Sequence, residues 1–287
     1  MKVRVRVRVR PAVGLVAAGL AVCAAAALPA LAADKALLRY KFKAGETLTY
    51  LFVQEDHSAA AIPGAPPAET VSSTTMKMSM AVKRTDKDGA ADLENRIYEM
   101  TVDAEGAAGS AAKSLASDMK KMWFEVRMLP TGKADKVTVH DVPAGMEPMV
   151  DSITTMMRSA VVFPDGPVGP GDSWKDEQKV PLPLGDKGTI DMVLAVTHRL
   201  RGFKVLDGRK HAIIEQTVRI TTTGRALGGL SISATGDGSG SVTFDVERGV
   251  VVSTETSTRI RMTLSAESMS ISMDMDSKSK TTLDSVK

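Results

Sequence analysis

The sequence predicts a mainly β protein: two related, curved antiparallel meanders, half-barrel-like, with one or two short amphipathic helices. Three observations predict it. Apolar residues alternate with polar ones along much of the chain, Asp-Gly pairs interrupt the alternation, and the order of elements in the first half reappears in the second.

The alternation comes first. In "TTMKMSMAVKR" Met76, Met78, Met80 and Val82 occupy every second position; "TIDMVLAVTH" does the same with Ile190, Met192, Leu194 and Val196. "SMSISMDMDSKSK" sets Met269, Ile271, Met273 and Met275 against Ser270, Ser272, Asp274 and Asp276. A period of two puts one set on each face of a strand, one dry and one wet. Strands buried on both faces read instead as continuous apolar runs, so these are antiparallel strands with a solvated side.

The turns follow. "RTDKDGAA" (84–91) and "LDGRKH" (206–211) each place Asp-Gly between alternating runs, a hairpin signal, and "TGDGSG" (235–240) reads as a third. Gly45-Glu46-Thr47-Leu48 and Gly171-Asp172-Ser173-Trp174 then open two parallel series. Each continues with a strand, a Met-containing strand, an Asp-Gly hairpin and a return strand. "WFEVRMLPTGKADKVTV" matches "SVTFDVERGVVVSTE", with Gly132 and Gly249 in their turns. The expected organisation is a first half at 34–163, a Pro/Gly connector at 164–170 and a second half at 171–287, the halves forming two sheets of the same strand order.

Two segments break the alternation. Residues 107–122 place Ala108, Ala111, Leu115, Met119 and Met122 on one stripe of a helix. Residues 144–161 do so more strongly, with Met146, Met149, Val150, Ile153, Met156, Met157 and Ala160 at helical spacing, Pro148 in the first turn and Pro164 beyond the end. This second helix is expected to cover part of the Met-rich strand face.

Residues 1–33 have the form of a secretory signal peptide: a basic "MKVRVRVRVR", an apolar "AVGLVAAGLAVCAAAA" and a small-x-small Ala30-Leu31-Ala32. They hold five of the 37 basic residues and no acid, so the mature chain has 32 basic against 34 acidic residues, a net charge of −2. The basic surface needed for nucleic acid is therefore not expected. No transmembrane segment is expected after cleavage. The lone Cys23 lies in the signal; Leu20-Ala21-Val22-Cys23 resembles a lipobox, but Val22 stands where a small residue is usual, so acylation is the lesser reading. Without Cys23 there is no thiol for a disulfide or nucleophile.

Catalytic constellations are not assembled. Ser110…Lys113 and Ser117…Lys120 have Ser-x-x-Lys spacing, but the further elements of penicillin-binding enzymes are missing. His57, His140, His198 and His211 are isolated from one another, and Asp56-His57 are strand neighbours that face opposite ways. Asp274 and Asp276 read as a solvated strand face rather than a calcium site. The reading is non-enzymatic, with no cofactor and no resident metal.

The methionines, sixteen after Met1, need a role. They can fill a core, line a concavity that repacks around acyl chains or an apolar protein segment, or hold Cu(I) through soft thioethers. For the second reading the lining is expected from Met76, Met78, Met80, Met100, Met149, Ile153, Met156, Met157, Met192, Leu194, Met269, Ile271, Met273 and Met275.

The "YKF..GETLTY" opening, the central "PVGPGDSW" and the closing "FDVERGVV" resemble an uncharacterised family of secreted proteins and lipoproteins of Gram-negative bacteria. More distantly, the architecture resembles the LolA/LolB and LppX-type periplasmic carriers. That resemblance implies a half-barrel holding acyl chains against its concave face. The expectation is thus an exported envelope protein, periplasmic or extracellular, that binds or carries a lipid or other hydrophobic ligand or an apolar segment of an envelope protein partner. The alternatives are a structural module without cargo and a methionine-based Cu(I) binder.

Overall fold

Alternating β-branched, Thr and Met residues favour extended backbone with one packed face, and in the computed structural model they form eleven strands. The described residues are 35–287 except 62, 65, 105, 159–160, 184–187, 226–230 and 267–268. The expected signal segment 1–33, with Cys23, lies outside them. The strands are β1 (Thr47–Ala61), β2 (Ala68–Thr85), β3 (Ala91–Ala104), β4 (Trp123–Met128), β5 (Ala134–His140), β6 (Ser173–Pro183), β7 (Thr189–Leu206), β8 (Arg209–Arg225), β9 (Ser231–Asp245), β10 (Val250–Ala266) and β11 (Met269–Val286). Two helices interrupt them, α1 (Gly106–Met119) and α2 (Val150–Met157).

All strands belong to one antiparallel sheet of order β5-β4-β3-β2-β1-β11-β10-β9-β8-β7-β6. The expected two meanders are present as β1–β5 and β6–β11, but not as two sheets. Their inner strands pair over nearly all of β1, from Leu48 opposite Val286 to Ala61 opposite Ser272, so the ladder runs from one half into the other. The reason is physical: β1 and β11 are long and would otherwise expose two rows of unpaired backbone groups.

The two halves are built alike at one end. Gly45 N–H donates to Val82 O at 2.8 Å and Val82 N–H donates to Glu46 O at 2.8 Å. In the second half Gly171 N–H donates to Leu200 O at 2.7 Å and Leu200 N–H to Asp172 O at 2.9 Å. From those two strands run matching cross-strand rows, Val82–Leu93–Val126 and Leu200–Ile214–Val242, all nearly inaccessible to solvent.

The core sits at this end. Leu48, Phe124 and Met122 pack with the first row, and Leu38, Tyr40, Phe163 and Phe244 with the second. The chain from Ala36 to Phe42 crosses between the two clusters. Tyr40 N–H donates to Pro130 O at 2.8 Å and Lys41 N–H to Gly249 O at 3.1 Å, which ties the β4–β5 turn to the β9–β10 turn. Rings of Tyr40, Phe163 and Phe244 meet at 4.6–5.5 Å between centroids, an edge-on or tilted aromatic cluster. Both crossing points need glycine: a Cβ on Gly132 would meet Val161 O at 2.3 Å, and one on Gly249 would meet Lys41 N at 2.4 Å. Both also have positive φ, 88° and 69°.

The third hairpin is not where the sequence placed it. "TGDGSG" lies inside β9, paired with β8 on one side and β10 on the other. Gly236, Gly238 and Gly240 fall on one face, and a Cβ on each would meet carbonyl oxygens of β10 at 2.6–2.7 Å. The glycines are therefore a stripe where the sheet bends too sharply for side chains. Polar neighbours and Asp-Gly disguised that stripe as a turn. The actual β9–β10 turn follows Asp245, whose buried Oδ1 accepts from Glu247 N–H at 3.0 Å and Arg248 N–H at 2.9 Å.

The helix expected over 144–161 is shorter. A 3-10 turn at Glu147–Met149 leads into α2, which ends at Met157. Pro148 sits in that opening turn, as expected. α2 packs against both β5 and β6, the two edges of the sheet, and Ser152 Oγ donates to Pro181 O of β6. An eight-residue helix is about 12 Å long, so its contact with both edges means that the sheet curls into an open half-barrel. α1 packs on β3.

Candidate functional site

Above the aromatic core, the curled sheet encloses a half-open cavity of about 550 Å³. Its walls come from both meanders. β2 contributes Met78 and Met80, β4 Val126 and Met128, β7 Leu194 and Val196, and β8 Val218 and Ile220. Met157 at the end of α2 and Val161 beyond it close one side. The floor is Tyr40 and Tyr50, and the back wall carries Thr254, Thr256 and Thr258 of β10 with Thr281 of β11. The glycine stripe of β9 lies beside these threonines, Gly238 opposite Thr258 and Gly240 opposite Thr256, and leaves that part of the wall without side chains.

The polar groups on this face are few. Burial pushes both tyrosine hydroxyls well above the phenol range, so they remain protonated; for Tyr50, nearby Arg248 opposes the effect. Tyr50 donates to Val251 O at 3.2 Å. Gln216 reaches His198 Nδ1 at 3.3 Å, and His198 stacks on Trp174 with centroids 5.3 Å apart. Burial holds His198 below the ordinary imidazole value, with Asp176 opposing, so it is neutral near pH 7.

Two other hollows are larger, about 730 and 850 Å³, but charged groups line them: Glu55, Glu215, Glu255, Lys278 and Lys280 in one, Glu55, Glu69 and Asp103 in the other. Volume alone does not make a ligand site; an apolar wall with few convergent polar groups does.

Of the fourteen expected lining residues, the cavity brings together Met78, Met80, Met157 and Leu194. Met76 and Met100 pair across β2–β3, half-buried, beyond its edge. Met192, Ile271, Met273 and Met275 are half-buried on the same sheet face: Met275 shares a cross-strand row with Ile260, Gly236 and the lining residue Ile220. Ile153 is buried in the first core cluster, and Met149 is 37% exposed. The side chains of Met156 and Met269 lie outside the described residues. The sequence reading missed Tyr40, Tyr50, Asn95, Gln216 and the four threonines. In "STETSTRI" both faces are polar, so alternation carries no apolar signal there.

Several of the acids and histidines singled out in the sequence are held by neighbouring side chains. Asp274 pairs with Arg261 at 2.7 Å and Asp276 with Arg259 at 2.6 Å on the outer face. His211 and Asp245 are both buried, 3.7 Å apart, in the β9–β10 corner. No group of three or more His, Cys, Asp or Glu that could hold a metal occurs among the described residues, and no described helix is long and apolar enough to cross a membrane.

By sequence, no family model and no curated protein matches the chain. Solved structures give distant likenesses. Lipovitellin, in a structure on its lipid–protein interactions, aligns over 86% of this chain with a TM-score of 0.47 and 10% identity. The chain spans about a quarter (26%) of lipovitellin's length. A DUF1329 family protein from Desulfovibrio piger aligns over 78% of this chain and 83% of its own, at TM-score 0.20 and 14% identity. A LolA superfamily protein from Nitrosomonas europaea aligns over 83% and 87%, at TM-score 0.14 and 9% identity.

Proposed function

We propose that this protein binds a hydrophobic ligand, without chemistry, in the cavity between its two meanders. The observation that supports this most is the cavity itself: about 550 Å³, walled by Met, Val, Leu and Ile from strands far apart in the sheet. That volume falls within the roughly 300–1,000 Å³ of small-molecule sites. Unbranched thioethers at Met78, Met80, Met128 and Met157 suit a flexible apolar guest, because they repack at low cost.

The test is uptake of the neutral apolar dye N-phenyl-1-naphthylamine, read by its fluorescence. Leu194→Phe, which fills the cavity, is expected to weaken binding several-fold while the thermal midpoint stays unchanged. Equal binding by this variant, or none by the parent chain, refutes the reading. Native mass spectrometry with lipid extraction of protein purified from its own cells is the complementary measurement.

Two further proposals accompany it. Export is the first: N-terminal sequencing of the mature protein is expected to begin at Ala33 or Asp34, and an acylated Cys23 at the N-terminus would make it a lipoprotein instead. The second is that the meanders descend from one duplicated unit. The paired Gly45–Val82 and Gly171–Leu200 hydrogen bonds and the equivalent buried rows support it.

A further inference from the structure

We propose that the cavity selects uncharged ligands, amphiphiles whose polar end is a hydroxyl, ester or amide, and rejects carboxylate and phosphate head groups. This rests on the ligand-binding reading above and names its substrate class.

The distribution of charge points to this selectivity. Among the described residues lining the cavity there is no Asp, Glu, Lys, Arg or His; the only ionisable groups are Tyr40 and Tyr50. The surrounding concave face continues the pattern. Following the cross-strand rows beside the cavity from β1 through β11 to β6, its described charged residues are Asp56, beside Ser277 and Thr258, and Asp176, beside Val196. Lys210, on the same side of β8, sits away from them at the β7–β8 hairpin over the Phe203 ring. Each is already held by a glutamine two positions away: Gln54 Nε2 donates to Asp56 at 2.9 and 2.8 Å, and Gln178 Nε2 to Asp176 at 3.1 Å. Cations of the strands around the cavity, among them Lys77, Arg219, Arg259, Arg261, Lys278 and Lys280, alternate onto the opposite face, where Lys77, Arg259, Arg261 and Lys280 pair with acids.

An anionic head entering this space would lose water, meet no cation among the lining residues and approach two carboxylates. Arg248 acts on Tyr50 at the floor from the β9–β10 turn, outside the lining. An unpaired buried charge is costly enough to exclude such a ligand. A hydroxyl or carbonyl meets a different wall. Thr254, Thr256, Thr258 and Thr281 present hydroxyls that make no hydrogen bond to other described residues, and Asn95 and Gln216 add amides. Each threonine can donate and accept, which matches neutral polar groups without a counter-ion.

The experiment is displacement of bound N-phenyl-1-naphthylamine by three amphiphiles of equal chain length: monododecanoylglycerol, dodecanoate and dodecylamine. At neutral pH the glyceride is expected to displace the dye at a concentration at least about tenfold lower than dodecanoate, as even a small part of the desolvation cost requires. Acidification below the fatty acid's own pKa is expected to close that gap, because the neutral acid then enters. In Thr256→Lys, which adds a cation facing Gly240, dodecanoate is expected to gain about tenfold relative to the glyceride. Dodecanoate as effective as the glyceride in the parent chain, or dodecylamine better than either, overturns the charge selection while leaving ligand binding intact. A dye that does not bind at all overturns both.

Discussion

Met78 on β2 and Leu194 on β7 line one cavity, although six inter-strand steps separate their strands along the sheet. In a flat sheet those steps would put them about 28 Å apart. Their meeting measures the curl of the sheet, and three devices produce it: the β9 glycine stripe, the aromatic cluster that the two ends wrap, and α2 spanning the edges.

The glycine stripe is the most direct place to test the curl. A Cβ on Gly238 would lie 2.6 Å from Thr258 Cγ2 and 2.7 Å from Ser257 O, and the backbone oxygen cannot give way without moving β10. Gly238→Val is expected to lower stability by about 1–3 kcal/mol or more, as overpacking does. Gly166→Ala, where nothing lies within 4 Å, should be near neutral. Urea midpoints at unchanged slope would measure both.

Asp245 holds the β9–β10 corner. It is fully buried, accepts from the Glu247 and Arg248 amides, and takes Arg209 Nε at 2.7 Å. Asp245→Ala leaves two turn amides and a guanidinium without their acceptor, so a loss of about 2–4 kcal/mol is expected. A variant as stable as the parent in urea unfolding would contradict this assignment.

His198 predicts a pH dependence. Its folded-state value lies below the ordinary 6.5, chiefly through burial. As pH falls below that value the unfolded chain takes up a proton that the folded chain resists, so stability falls until the folded pKa is passed. Above the ordinary value this contribution is flat. His198→Gln is expected to remove that part of the acid-side slope, which thermal midpoints between pH 7 and about 5 would read.

Met78 separates a lined cavity from a filled core. It borders the cavity and belongs to neither core cluster. Met78→Asp is therefore expected to fold, with a loss well under the several kcal/mol of an unpaired charge in a dry core, and to lose uptake of N-phenyl-1-naphthylamine. A variant that unfolds would assign the space to the core; one that binds normally would remove Met78 from the site.

By itself the sequence determined the class of structure. Period-two patterns at Met76–Val82, Ile190–Val196 and Met269–Met275 specify antiparallel strands, because alternation sorts residues between two faces whatever the partner strand is. The Asp88-Gly89 and Asp207-Gly208 turns, and glycine at 132 and 249, were legible for the same local reason: turn chemistry is carried by a few adjacent residues. What only the tertiary structure decided was non-local. Pairing of β1 with β11 made one sheet of two meanders, and no local pattern names the strand that will cover an edge. The glycines of β9 read as a turn until their neighbours on β10 showed them as a bend. The site was half legible: alternation pointed to Met78, Met80 and Leu194, but Tyr40, Tyr50 and the threonines of β10 enter it only through curvature, which brings together faces that sequence spacing keeps apart.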